Sequence, residues 1–362
     1  MILLTFCTVL LAGVSAVNET SELPGPWGFP SLISCLRFDP PLDFCGEEVP
    51  LDNPDVRERL EKQLLLSLWN RPQVILWLKR SGRFLPHIEK ILKQNNMPED
   101  LKYVAIIESA LRPHATSNKR AVGFWQFLES TGRKYRLVIN RFMDERRNVF
   151  SSTRAAVRYF KELYSTFGSW TLCAAAYNMG EAGLHAKILA QKESNYYHLY
   201  LSLETQQFVP KIIAAKMILS NPKKYGFRLR ADDYYPPLVF DRVDLECAGT
   251  TPIMMVAQAA NTHFKMIKDL NPEIRGSFIT QGSHSLLIPR GASKGFRARF
   301  KERMARWTPE TRKRTYVVKR GDSLSIIAHR FKVPMKSIIR WNRLKGRKGI
   351  HPGDRLVIYQ KQ

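Results

Sequence analysis

The chain has 362 residues, of which 44% are hydrophobic and 25% are charged, and its formal net charge at pH 7 is +25. This apolar content excludes a disordered polypeptide, and the length indicates two or three domains. Residues 291–362 carry 21 Lys and Arg against 4 Asp and Glu, an excess that favours an acidic polymer as a partner. The cysteines show neither CxxC spacing nor a neighbouring histidine pair, so we expect no metal site. We also expect no cofactor.

An apolar segment without charged side chains opens the chain at residues 1–16 and ends in the small residues Val14-Ser15-Ala16. It is short for a membrane span, and its end is typical of a signal-peptidase site. We therefore expect a signal peptide over 1–16 and export to the periplasm or cell envelope. Two alternatives stay open: a buried N-terminal helix, and an uncleaved anchor that keeps the protein at the membrane. An irregular, proline-containing leader follows at 17–53.

Helical periodicity dominates the next part of the chain, which we predict to be an all-α domain over residues 54–228. Apolar residues recur there at intervals of three and four, and proline or glycine separates the periodic stretches. From about residue 234 the pattern changes to short strands and short helices. The predicted helices lie within 54–96 and at 98–111, 151–167, 170–190 and 205–220.

An internal repeat occupies the C-terminal part of the chain, at residues 245–288 and 318–358. In both copies 14 positions separate an alanine from an asparagine, and 11 more separate that asparagine from a glycine. Equal spacings with matched apolar positions indicate one supersecondary unit used twice, with the order strand–helix–helix–strand. The matched positions are Ala257, Asn271 and Gly282 in the first copy and Ala328, Asn342 and Gly353 in the second.

The second copy contains four marker motifs, Gly321-Asp322-Ser323-Leu324, Ile327-Ala328, Trp341-Asn342 and Pro352-Gly353-Asp354. With them it resembles the LysM family, whose small βααβ modules bind glycans that contain N-acetylglucosamine, including peptidoglycan. The resemblance implies a glycan-binding module at 314–360. The residues to which it assigns this binding are Gly321, Asp322, Ser323, Trp341 and Asn342.

The first copy resembles a degenerate LysM module at residues 234–291. Leu270 replaces the tryptophan of the second copy, and the Gly-Asp pairs are lost. A structural spacer and a second glycan-binding module therefore remain equal alternatives for it. We expect a basic linker over 292–313 between the two copies.

One carboxylate lies at the end of a predicted helix that is apolar from Tyr103 to Ile107. Glu108 falls in its last turn, and Pro113 disfavours helical geometry shortly afterwards. The apolar surroundings and the negative end of the helix dipole both disfavour the ionised form. We therefore expect a raised pKa, which suits a general acid near neutral pH. The helix alone leaves an alternative open, in which Glu108 pairs with Arg112 or another basic residue at the surface.

Two further motifs combine polar groups with aromatic rings, a composition suited to sugar binding because rings stack on pyranose faces and amides bind hydroxyls. Gly123–Phe127 places Gln126 among aromatic residues, and Ala174–Glu181 places Tyr177 and Asn178 at the end of a small-residue helix. Taken singly, each motif is also compatible with ordinary core packing.

In their order and spacing these motifs resemble the goose-lysozyme-like lytic transglycosylases, in particular the membrane-bound lytic murein transglycosylase D type. The resemblance covers about residues 55–228 and continues through the C-terminal modules. It implies a mainly α fold, in which a lysozyme-like all-helical catalytic domain precedes a degenerate LysM-like module and a LysM βααβ module. Glu108 matches the catalytic glutamate of that family. The implied substrate-binding residues are Ser109, Gln126, Tyr177, Asn178 and Glu204.

Two features depart from that family's pattern. Phe208 stands where these enzymes usually have tyrosine, so a hydroxyl group is missing. Cys7 lacks the preceding small residues of a lipoprotein site, so we expect no lipid attachment there.

Ordinary glycosidases use two carboxylates, and no second one is obvious beside Glu108. We therefore expect a lytic transglycosylase, in which Glu108 alone acts as acid and base on the β-1,4 bond between MurNAc and GlcNAc. Such an enzyme leaves a 1,6-anhydroMurNAc end and consumes no water. One alternative is a hydrolytic muramidase with Glu181, Glu204 or Asp144 as the second carboxylate. Another is a non-catalytic peptidoglycan-binding protein.

The partners that we expect are peptidoglycan glycan strands and, for the basic segment, anionic wall polymers or a membrane surface. Nucleic acid fits the charge of residues 291–362 but not the signal segment or the glycan-module pattern, so we expect none. We also expect a monomer.

Overall fold

The structure is a computed structural model that describes residues 30–307, 313–331, 333–344 and 349–359. The predicted signal peptide at 1–16 lies outside these residues. Within them, no helix is both long and apolar enough to cross a membrane. The chain forms two compact units, which we call the helical unit (residues 30–137 and 149–237) and the C-terminal unit (residues 138–148 and those from 238 onward).

The helical unit contains one short hairpin and otherwise helices and loops. The hairpin pairs β1 (Asp43–Phe44) with β2 (Glu47–Glu48). The helices are α1 (Leu32–Cys35), α2 (Pro54–Trp69), α3 (Arg71–Gln94), α4 (Lys102–Ser109), α5 (Glu129–Lys134), α6 (Val149–Phe167), α7 (Trp170–Met179), α8 (Glu181–Gln191), α9 (Leu203–Gln206) and α10 (Phe208–Ser220).

Single polar residues and glycines set the limits of several helices. The backbone amide of Asn70 donates to Leu66 O and ends α2, while its side chain accepts from the Gln73 amide and begins α3. The helical prediction for residues 54–96 is thereby confirmed as two helices. The single helix that we predicted over 170–190 is wrong in one respect, because Gly180 adopts a φ of 93° and separates α7 from α8.

Helix α10 lies at the centre of the helical unit. It is apolar nearly all round, it is largely buried, and it packs against α2, α4 and α7. A second buried centre forms where Trp125 donates its indole N–H to Thr153 Oγ1 of α6 at 3.0 Å. The first centre holds α4 in place, and the second holds the loop around Trp125 against α6.

The C-terminal unit contains the two copies of the repeat. The first module runs β3 (Phe240–Cys247), β4 (Thr251–Pro252), α11 (Ile253–Ala259), α12 (Phe264–Leu270), β5 (Phe278–Ile279) and β6 (Gly282–Pro289), with β3 antiparallel to β6. The second module runs β7 (Lys313–Val317), α14 (Leu324–Arg330), α15 (Met335–Trp341) and β8 (Arg355–Tyr359), with β7 antiparallel to β8. The predicted order strand–helix–helix–strand is confirmed in both, and so is the mainly α fold class.

The repeated asparagine makes the same contacts in both modules. Asn271 Nδ2 donates to Ile267 O and Leu287 O, while its Oδ1 accepts from the Leu287 amide at 2.8 Å. Asn342 bonds in the same way to Ile338 O and to both backbone groups of Val357. The equal spacing in the sequence therefore reflects a side chain that joins the second helix of each module to its closing strand.

Two segments of the C-terminal unit differ from the sequence-based organisation. Residues 138–148 lie within the predicted catalytic domain but pack in this unit, where the Asp144 amide donates to Glu273 O at 2.8 Å. The predicted basic linker at 292–313 contains α13 (Phe296–Arg306). Phe296 is fully buried in the core of the first module, because it and Phe300 give this basic segment an apolar face.

Candidate active site

Helix α4 carries Glu108 into the interior of the helical unit. The residues from Tyr103 to Ile106 are buried, and Glu108 is partly buried in the last turn. Ala110 and Leu111 then adopt left-handed backbone conformations, with φ values of 52° and 56°, and end the helix.

Burial is the main cause of a raised pKa at Glu108. Burial and, to a smaller extent, the negative charge of Glu204 raise the pKa of the carboxyl, the ammonium of Lys211 opposes them, and the resulting pKa is about 7. Within the described residues no hydrogen bond or ion pair is formed by the Glu108 carboxylate. A carboxyl group with a pKa near neutrality is populated both as an acid and as a base, as general acid–base catalysis requires.

The position of Arg112 does not agree with the alternative in which it pairs with Glu108 at the surface. Arg112 Nε donates to Ser109 O at 3.1 Å, and Arg80 Nη1 donates to Ala110 O at 3.1 Å. The two guanidinium groups therefore bind carbonyl oxygens at the C-terminus of α4 and leave the Glu108 carboxyl to the interior.

Ser109 connects α4 to the loop that contains Gln126. Its hydroxyl is buried and lies 3.0 Å from Ala105 O and 2.9 Å from Phe124 O, to which it donates. This contact positions Glu108 against the loop. The prediction that Ser109 contacts substrate stays a prediction.

Gln126 holds the loop over residues 123–127 in a tight turn. Its Nε2 donates to Gly123 O at 2.8 Å and to Ala115 O at 3.3 Å. Gly123 has a φ of 83° and Gln126 one of 47°, so both occupy the left-handed region that glycine adopts at little cost. The amide oxygen of the partly buried Gln126 is not used in these bonds and remains available to a ligand.

Tyr177 lies in the same cluster as Glu108. Its hydroxyl donates to Trp125 O at 2.5 Å, and its ring stacks on Phe160 with centroids 4.8 Å apart. Burial raises the pKa of the Tyr177 phenol well above its usual value, and the charge of Glu108 raises it further. The phenol therefore stays protonated beside the candidate acid.

Asn178 contacts the short helix α9, which also carries Glu204. Asn178 Oδ1 accepts from Thr205 Oγ1 at 2.8 Å, and Glu204 is exposed on the same helix. The structure thus gathers Glu108, Tyr177 and Glu204 in one region. Lys211 was not predicted from the sequence, because its effect on Glu108 depends on the fold, which sets α10 beside α4.

Asp144, one of the carboxylates considered as a hydrolytic partner, belongs to the C-terminal unit. It is buried there, and its two oxygens accept from Arg146 at 2.8 and 2.9 Å. This ion pair already binds both oxygens of the carboxylate.

The five predicted glycan-binding residues of the second module also maintain its fold. Asp322 Oδ2 accepts from the Tyr316 hydroxyl at 2.5 Å and from the Lys319 amide at 2.8 Å. Ser323 caps α14, Gly321 turns the chain with a φ of 87°, and Trp341 packs on the core of the module. Direct contact of these residues with glycan stays a prediction.

Comparison with known proteins adds independent evidence. The Transglycosylase SLT domain model matches residues 86–200, and the LysM domain model matches residues 316–358. Membrane-bound lytic murein transglycosylase D of Escherichia coli, in strains K12 and CFT073, is 34% identical over 331 residues that cover 87% of this chain and 72% of that protein. The 70 kDa soluble lytic transglycosylase of Escherichia coli aligns at 15% identity and a TM-score of 0.35, over 48% of this chain and 32% of that one. On the strength of the long match at 34% identity, the chain belongs to the family of membrane-bound lytic murein transglycosylase D.

Proposed function

We propose that the chain is a peptidoglycan lytic transglycosylase that breaks the β-1,4 bond between MurNAc and GlcNAc without water and binds the wall through its LysM module. Lytic transglycosylase activity on murein and LysM-mediated peptidoglycan binding follow from the family and from its two matched domains. The role of Glu108 as acid and base is supported by one observation: its partly buried carboxyl has a pKa of about 7.

In the proposed reaction Glu108 starts protonated and donates its proton to the glycosidic oxygen as the bond to C1 of MurNAc breaks. The N-acetyl oxygen of the substrate stabilises the positive charge that develops at C1. The Glu108 carboxylate then takes the proton of the C6 hydroxyl, whose oxygen closes the 1,6-anhydro ring on C1. The proton lost in the first step is regained in the second, so no water is consumed and the enzyme returns to its initial state.

Neighbouring residues would hold the substrate and the acid in position. Ser109 and Tyr177 both donate to backbone oxygens of the 123–127 loop and so fix its distance from Glu108. The free amide oxygen of Gln126 can accept from a sugar hydroxyl. Glu204 and Asn178 would contact the substrate beside α9, where the exposed carboxylate of Glu204 would favour the cationic transition state.

We place the enzyme in the cell envelope, exported through the segment 1–16, with an uncleaved anchor as the alternative route to the membrane. Its proposed domains are the catalytic domain at 54–228, the degenerate module at 234–291 and the LysM module at 314–360. The basic C-terminal segment would contact anionic wall polymers or the membrane surface. We propose a monomer that requires no cofactor and binds no nucleic acid.

Digestion of purified sacculi followed by mass spectrometry of the soluble muropeptides tests this function. Anhydro ends weigh one water less than reducing ends, so a lytic transglycosylase and a hydrolytic muramidase give different masses. Reducing ends would contradict the proposal, and wall binding without any soluble product would indicate a non-catalytic protein.

The substitution Glu108→Gln tests the residue assignment. We expect turnover to fall by about a thousandfold, because the amide transfers no proton, while binding to sacculi is retained. The matched control is Glu58→Gln, which makes the same change at an exposed position of α2. Near-normal activity of Glu108→Gln would refute the role of this carboxyl.

A further inference from the structure

Helix α9 carries a chain of hydrogen bonds that ends at the side chain of Asn178. The Thr205 amide donates to Ser202 Oγ at 3.4 Å, and the hydroxyl oxygens of Ser202 and Thr205 lie 2.9 Å apart. Thr205 Oγ1 donates to Asn178 Oδ1 at 2.8 Å. A hydroxyl group has one hydrogen, so the Thr205 oxygen accepts the hydrogen that lies between it and Ser202. The chain therefore runs in one direction, from the backbone of α9 to the amide oxygen of Asn178.

The backbone of α9 is itself anchored by buried groups. The hydroxyl of the buried Tyr196 donates to Thr205 O and Gln206 O, both at 2.8 Å. Gln206 Nε2 donates to Leu201 O at 2.7 Å, just before the helix begins. Thr205 is only 1% exposed. Its hydroxyl group therefore has a fixed position, because its backbone is anchored and its side chain is enclosed.

This fixed donor decides which end of the Asn178 amide is free. A side-chain amide has an oxygen that accepts and a nitrogen that donates, and Thr205 binds the oxygen. Within the described residues the nitrogen, Nδ2, makes no hydrogen bond, and Asn178 is only partly buried. Asn178 therefore offers a hydrogen-bond donor to a ligand rather than an acceptor.

The contact between Thr205 and Asn178 lies beside the candidate acid. Tyr177 directly precedes Asn178, and the charge of Glu108 raises the pKa of its phenol. Glu204 directly precedes Thr205, and its charge acts in turn on the pKa of Glu108. The contact thus joins the two helices, α7 and α9, that carry these neighbours of Glu108.

We infer that Thr205 is a positioning residue of the transglycosylase reaction, which holds the Asn178 side chain so that Nδ2 donates to an oxygen of the glycan. The inference rests on the proposed function. Thr205 acts through Asn178, because its own hydroxyl is enclosed and bonded at both ends. Without that hydroxyl the amide is free to turn over and present its oxygen, which donates nothing.

The substitutions Thr205→Val and Thr205→Ser test the inference. Valine keeps the branched shape and removes the donor, whereas serine keeps the donor. We expect kcat/KM on glycan strands to fall about tenfold in Thr205→Val and to stay within about a factor of two in Thr205→Ser. The matched control is Thr166→Val, the same change at an exposed position near the end of α6.

A double-mutant cycle separates positioning from a general structural role. In an Asn178→Ala background, Thr205→Val should cost no more than about a factor of two, because no amide is left to orient. A tenfold loss in both backgrounds would overturn the inference, and so would full activity of Thr205→Val in the original background. If Thr205→Val fails to fold, Thr205→Ala takes its place.

The NMR signals of the Asn178 side-chain NH₂ group give a readout that does not need activity. They should shift in Thr205→Val and remain near their original positions in Thr205→Ser. Unchanged signals in Thr205→Val would refute the positioning role. Failure of the proposed function is distinguishable, because the unmutated enzyme would then release no anhydro products.

Discussion

At Glu108, two charged side chains act on the same carboxyl in opposite directions. Glu204 raises its pKa and Lys211 lowers it, on top of the larger effect of burial. Both neighbours are exposed, so water and salt weaken their influence. Activity that needs protonated Glu108 should decline above pH 7, and the two neighbours should set the position of that decline.

Charge removal at these neighbours tests this balance. Glu204→Gln removes a negative charge and should move the alkaline decline of kcat/KM down by about 0.5 pH unit, whereas Lys211→Met should move it up by about as much. The pH profile of kcat/KM on short glycan strands is the measurement. Movement of both variants in the same direction would contradict the opposing roles.

Glu108 should also make the stability of the protein depend on pH. Its pKa in the folded chain is about 7, above the ordinary value of 4.5, so the folded chain binds this proton more tightly than the unfolded chain does. The free energy of unfolding should therefore be highest below pH 4.5 and should fall as the pH rises to 7, by about 3 kcal/mol.

Denaturant titrations of the original protein and of Glu108→Gln can measure this dependence. The amide resembles the protonated carboxyl, so the variant should be as stable as the original protein near pH 4 and about 3 kcal/mol more stable at pH 8. The same difference at both pH values would show that Glu108 does not titrate abnormally.

For single residues, the sequence was sufficient to select Glu108 as a candidate, because it is the one carboxylate in the last turn of a helix that is apolar from Tyr103 to Ile107. It was not sufficient to predict the influence of Lys211, which lies 103 positions further along the chain. Nor could it choose between a buried Glu108 and a pair with Arg112, since that depends on which carbonyl oxygens the guanidinium reaches at the end of α4.

At the level of helices and strands, one asparagine in each module joins the second helix to the closing strand. Asn271 and Asn342 make three hydrogen bonds to the backbone of their modules, and two of these bonds go to the closing strand. The same residue at the same spacing thus has the same structural task, whether or not the module binds glycan.

Replacement of either asparagine by alanine should lower the stability of its module by about 2–4 kcal/mol, because backbone groups of the closing strand lose their partner. Hydrogen exchange of the strand amides measures the loss in each module separately. The control is Gln281→Ala, an exposed amide side chain in the first module. Unchanged protection of the Leu287 and Val357 amides would refute this role.

The repeat could be predicted because its spacing is imposed by these contacts. Helix α13 could not be predicted, because eleven residues rich in arginine and lysine are typical of a linker. It forms part of the module because Phe296 packs in the core of the first module. The break between α7 and α8 depends on the positive φ of Gly180. A small-residue run with a glycine is also compatible with a continuous helix.

For the molecule as a whole, the position of α13 decides where the chain can be shortened. A chain that ends after Trp307 keeps the first module with Phe296 in its core, and it loses the LysM module together with a net charge of +12. A chain that ends at residue 290 also loses Phe296.

We expect the chain of residues 1–307 to fold and to cleave soluble strands, but to bind sacculi more weakly and with less dependence on salt. The chain of residues 1–290 should be less stable by about 3 kcal/mol or more, the cost of removing a buried phenylalanine. Sedimentation with sacculi at two salt concentrations and thermal unfolding make the comparison. Equal stability of the two chains would show that α13 is not part of the module.

The backbone passes from one compact unit to the other at 137–138, returns at 148–149, and crosses again at 237–238. A protease that severs only the last of these crossings would leave two fragments held together by the pairing of Phe142 and Asp144 with residues 273–275. Co-expressed fragments 1–237 and 238–362 should therefore reassemble. For the same reason, a chimaera that takes residues from 238 onward from a relative should also take residues 138–148 from that relative, because both segments belong to the C-terminal unit.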